Sequence, residues 1–99
     1  MGDRGNIVVK ERGQPPVYLY THWRGSELKA ILRRALAKHW RWDNAPYLAR
    51  IIFCEMVKGQ EDDETGFGIS TYPPDEGTLF TVDISAQTVN DESFETFIA

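Results

Sequence analysis

Asn6–Lys10 is a short run rich in β-branched residues, and Val17–His22 alternates with a period of two. Both patterns predict strands. In the second, Val17, Leu19 and Thr21 share one face and Tyr18, Tyr20 and His22 the other. Gly13, Pro15 and Pro16 between them predict a turn, so the pair reads as a hairpin. The period then changes. Leu28, Ile31, Leu32, Ala35 and Leu36 recur at spacings of three and four, which predicts a helix capped by Ser26. After a break near Trp42, Asp43 or Asn44 caps a second helix, with Pro46 tolerated in its first turn. Leu48, Ile51, Ile52 and Met56 form its buried stripe; Ala49, Phe53 and Val57 widen it, and Gly59 ends it.

Period two returns in Gly66–Tyr72, with Phe67 and Ile69 inward, and in Thr78–Ile84, with Phe80, Val82 and Ile84 inward. Pro73–Gly77 is the turn between them. Gln87–Asn90 reads as a short edge strand. Phe94, Phe97 and Ile98, behind Asp91 and Glu92, suit a short closing helix. The order β-β-α-α-β-β predicts an α+β fold, with an antiparallel sheet of four to five strands and two main helices packed on one face. Residues 1–99 read as a single domain with a disordered start over 1–5.

Ninety-nine residues suffice for one hydrophobic core, and 41% hydrophobic content excludes wholesale disorder. Cys54 stands alone, which excludes an internal disulfide and a cysteine-based metal cluster; its apolar neighbours predict burial. No cofactor and no metal are expected. No window is long and apolar enough for a signal peptide or a membrane span, so the expectation is a cytoplasmic protein without a membrane partner.

Charge changes the picture most. Residues 1–58 hold eleven Lys/Arg against five Asp/Glu, whereas residues 59–99 hold ten Asp/Glu and no Lys/Arg. Such asymmetry points to electrostatic partners. Glu61, Asp62, Asp63 and Glu64 form an unbroken run, followed by Asp75 and Glu76, and could present carboxylates to a basic groove on a protein partner. Consecutive carboxylates lack the alternation and central glycine of a calcium loop. Lys29, Arg33, Arg34, Lys38 and Arg41 form a cationic face on the first helix, with Trp40 and Trp42 at its end. It offers an alternative reading as a nucleic-acid-binding module, set against a plain solvated face. Tyr18, Tyr20 and Tyr72, with Leu79 and Thr81, fall on the sheet face opposite the helices, a surface suited to a protein interface or a homodimer. Catalysis is the weakest reading: His22 would need Ser26 as nucleophile and a carboxylate such as Asp83 to orient it. A non-enzymatic binding protein is expected.

Three segments carry a resemblance: Tyr18-Leu19-Tyr20-Thr21-His22-Trp23-Arg24-Gly25-Ser26-Glu27-Leu28, then Arg41-Trp42-Asp43 through Tyr47-Leu48-Ala49-Arg50-Ile51-Ile52-Phe53, then Gly66-Phe67-Gly68-Ile69-Ser70-Thr71. Together they resemble a group of small uncharacterised bacterial and phage proteins. The group has no assigned activity, so no residue role is carried over. What the resemblance implies is a phage or mobile-element accessory protein that binds and inhibits a host protein.

Overall fold

The structure, a computed structural model, describes residues 2–73 and 77–99. Strands β1 (Gly5–Lys10) and β2 (Val17–Thr21) form the predicted hairpin, in register from Gly5↔Thr21 to Val9↔Val17. A 3-10 turn over Gly25–Glu27 leads into α1 (Leu28–Leu36), followed by α2 (Ala45–Val57). Then come β3 (Phe67–Ser70), β4 (Thr78–Asp83), the two-residue strands β5 (Thr88–Val89) and β6 (Glu92–Ser93), and α3 (Phe94–Ile98).

Among the described residues the sheet has six strands in the order β3-β2-β1-β4-β5-β6, and it is mixed. The expectation of a purely antiparallel sheet of four to five strands fails at its centre, where β1 and β4 run parallel from Gly5↔Thr78 to Lys10↔Asp83. The reason is which edges were left. The hairpin uses one edge of β1, and β3 returns from the helices to the free edge of β2. The free edge of β1 remains for β4, which reaches it past two strands and arrives pointing the same way.

Ile7, Val9, Leu19, Val82 and Ile84 project from one sheet face into a core shared with all three helices. On α1, Leu28, Ile31, Leu32 and Leu36 are fully buried. Each such side chain contributes about 2 kcal/mol, so the stripe holds this short helix in place while its other face stays in water. Gly5 lets β1 lie close against the start of α1: a Cβ there would sit 2.6 Å from Leu28 Cδ1. Ser26 is not the helix cap. Asp3 does that work, its carboxylate accepting from the Ser26 N–H (2.9 Å) and hydroxyl, while its carbonyl accepts from Gly25 N–H (2.6 Å). The Ser26 contacts hold the Asp3 carboxyl below the usual carboxylate range. Residues 1–5, read as a frayed start, therefore contain an anchored Asp3 and the first strand residue, Gly5. Asn44 caps α2 by accepting from Tyr47 N–H (3.1 Å). Cys54 is exposed rather than buried, because it points away from the Ile51, Ile52 and Met56 stripe.

Candidate functional site

Glu55 lies within the buried stripe of α2, between Ile52 and Met56, with a side chain only 5% exposed. Its carboxylate takes three cations: Arg34 Nε at 3.3 Å, Lys38 Nζ at 3.2 Å and Lys58 Nζ at 3.2 Å. Burial pushes the Glu55 pKa up, and the bonds from Lys38, Lys58 and Arg34 outweigh it, so the net shift is downward. Two of the five residues proposed as a nucleic-acid face are thus bound to this one carboxylate. Arg33 donates to the Ala99 carbonyl (3.0 Å), and the Arg41 guanidinium lies 4.5 Å from the centre of the Tyr47 ring. Lys29 is exposed on α1. Trp42 is half-buried: its indole N–H caps α1 at the Leu36 carbonyl (3.1 Å), and its ring packs edge-on against Phe94. Trp40 remains 58% exposed, with Lys38 Nζ 5.2 Å from its ring.

The acidic run has the opposite surroundings. Glu61, Asp62, Asp63 and Glu64 are all exposed in the loop between α2 and β3. Every ion pair among the described residues converges on Glu55, so none of these four carboxylates has a cation there. Asp75 and Glu76 lie outside the described residues. The loop is nonetheless held at both ends by Trp23. The indole N–H donates to Gln60 Oε1 (3.0 Å), and the ring lies against Gly66, which has φ +102° and no room for a Cβ. His22 N–H donates to the Gly66 carbonyl (2.8 Å), and Arg24 donates to the Met56 carbonyl (3.0 Å) at the end of α2. No group of three or more His, Cys, Asp or Glu among the described residues could hold a metal ion.

The second sheet face carries two cross-strand rows set by the register. One runs Gly68, Tyr20, Asn6, Leu79 and the other Ser70, Tyr18, Val8, Thr81. Tyr18 and Tyr20 are half-buried, and Tyr72, beyond β3, is 70% exposed. Val8 is buried without joining the helix-side core. Asn6 is buried too, and its Nδ2 reaches no hydrogen-bond acceptor among the described residues. An unmet donor in a buried site costs about 1–3 kcal/mol, so a polar side chain is an expensive choice at this position.

The weak catalytic reading loses its geometry. Thr21, the neighbour of His22, shares a register level with Gly5, while Asp83 pairs with Lys10 at the other end of β1. Five residue steps along the strands separate those levels by about 17 Å. The His22 Nδ1 is bonded to Tyr20 Oη (2.9 Å), and Ser26 is bound by Asp3.

Sequence reasoning missed Glu55, Asn6 and Asp3. Glu55 had a visible signal, since a carboxylate falling in step with Ile51, Ile52 and Met56, three residues before Lys58, is placed to be buried and paired. Asn6 had none, because its burial depends on strands assembled from distant parts of the chain.

Compared with protein-family models, curated proteins and solved structures, the chain matches none of them. No helix among the described residues is long and apolar enough to cross a membrane.

Proposed function

We propose that this chain is a non-enzymatic binding protein that meets a protein partner through the acidic loop Glu61–Glu64 or the tyrosine-bearing sheet face. The observation that carries this reading is the unequal use of charge. Arg34 and Lys38 of the basic helix are bound to Glu55, whereas the four loop carboxylates are exposed and have no cation among the described residues. An exposed, single-signed loop steers a basic partner and sets orientation. The phage setting, with inhibition of a host protein, rests on the sequence resemblance alone. A pull-down from bacterial lysate tests the reading, using the wild-type protein and a variant carrying Glu61→Gln, Asp62→Asn, Asp63→Asn and Glu64→Gln. A stoichiometric protein is expected that survives nuclease and is lost with the neutralised loop. Equal recovery by both proteins counts against the acidic surface.

Nucleic-acid binding stays as a second reading because of the segment between the helices. There His39 and Arg41 hold left-handed φ of 59° and 58°, and Trp40 projects into solvent beside Lys38. Strained backbone and an exposed indole beside cations suit stacking on an unpaired base. Recovery that collapses on nuclease treatment would favour it.

A further inference from the structure

The outer edge of β3 is the exposed border of the sheet nearest the acidic loop, and its backbone is directional. His22 N–H donates to the Gly66 carbonyl, which fixes His22 and Gly66 as a hydrogen-bonded pair in the β2–β3 ladder. Antiparallel pairs alternate, so Tyr20↔Gly68 and Tyr18↔Ser70 also bond inward. Phe67 and Ile69 then turn their N–H and C=O groups away from β2, toward solvent. The strand is short, but Phe67-Gly68-Ile69-Ser70 holds no charge, no proline and no bulge, three of the usual guards against pairing. Ile69 is 61% exposed even though it sits opposite the buried Leu19, because the helices do not reach the rim. On the other face, a Cβ at Gly68 would meet nothing within 4 Å among the described residues. Trp23 and His22 fix the entrance to the strand at Gly66, which leaves little ordering to be done on binding.

We infer that β3 accepts an extended basic segment of a partner protein as a seventh strand, bonded to the outward groups of Phe67 and Ile69 and drawn in by Glu61–Glu64. This rests on the binding-protein reading above and specifies its mode. Charge chooses the occupant. Four exposed carboxylates at the entrance to the strand favour a segment carrying Lys or Arg. A second copy of this chain fits worse, since it brings the same acidic loop and residues 59–99 hold no Lys or Arg to meet it.

The test uses the whole protein and a blocked octapeptide alternating valine with lysine, followed by fluorescence anisotropy of a label on the peptide. The control peptide has glutamate in place of lysine. The lysine peptide is expected to bind and the glutamate peptide not to bind. Ile69→Pro removes an outward N–H while leaving the β2 ladder whole, so the variant keeps its fold by circular dichroism and binds at least about tenfold more weakly. Neutralising Glu61, Asp62, Asp63 and Glu64 weakens binding about tenfold and flattens its salt dependence. On binding, the Phe67 and Ile69 amides become protected from hydrogen exchange. Binding that Ile69→Pro leaves intact but loop neutralisation removes overturns strand addition and leaves the acidic-surface reading standing. No binding of the lysine peptide, or self-association of the free protein that Ile69→Pro abolishes, overturns the inference.

Discussion

Glu55 and the run Glu61–Glu64 are separated by a single helix end, yet they are opposite electrostatic objects. Glu55 is one buried carboxylate holding Arg34, Lys38 and Lys58; the run is four exposed carboxylates with no cation among the described residues. The difference is one of position on α2. Glu55 falls in step with the apolar stripe and is carried beneath the long side chains of α1, whereas the run begins after Gly59 has ended the helix and lies in water. Net charge by halves does not show this. The cations of the first half are partly consumed by a carboxylate of the same half, so the anionic surface of the second half is the freer of the two.

The largest effect should come from loosening the floor on which the run is held. Gly66→Val forces a side chain into the Trp23 ring at φ +102°, and should cost about 3 kcal/mol as read from the urea midpoint. Glu55→Ala comes next. Its partners are partly exposed and can return to water, so the loss should be about 1–2 kcal/mol rather than the larger cost of stranding a buried charge. A urea midpoint unchanged from wild type would mean that the three cations do not stabilise the fold.

Acid should sharpen the contrast further. The folded-state pKa of Glu55 lies below its ordinary value of 4.5, so its contribution is fully present above that value and disappears as pH falls through the lower folded pKa. Midpoints of wild type and Glu55→Gln are expected to differ at neutral pH and to converge in acid. Parallel curves at every pH would contradict the assignment. The smallest effect belongs to the run itself: the fourfold neutral variant should change stability by no more than about 0.5 kcal/mol while altering partner binding. A large loss of stability would show that the loop carboxylates are structural.

What was legible in the chain was local. The β-branched run of β1 and the periods of β2, β4, α1 and α2 were each visible within a short stretch, as were a cap at Asp43 or Asn44 (it is Asn44), Pro46 in the first turn of α2 and the short closing helix at Phe94–Ile98. What was not legible depended on remote partners. Ile69 has the pattern of an inward residue, and it does sit on the helix side, but its strand lies at the rim where nothing covers it. Ser26 has a cap's chemistry and is itself capped by Asp3, whose proximity follows from β1 lying beside the 3-10 turn. At the candidate site, the acidic run was plain in the sequence, but the capture of Arg34 and Lys38 by Glu55 needed the packing of two helices to be known.

The parallel pairing of β1 with β4 has a consequence for how the molecule is made. Of the strands in this sheet, the one that comes earliest along the chain becomes an inner strand. When the hairpin and both main helices have left a ribosome, one entire edge of β1 still has nothing to bond, and it stays so until Thr78–Asp83 emerges. Completion of the sheet therefore waits on a contact between distant parts of the chain, the slow kind. A chain halted before Thr78 would leave Ile7, Val8 and Val9 along an open strand, a template for joining other chains.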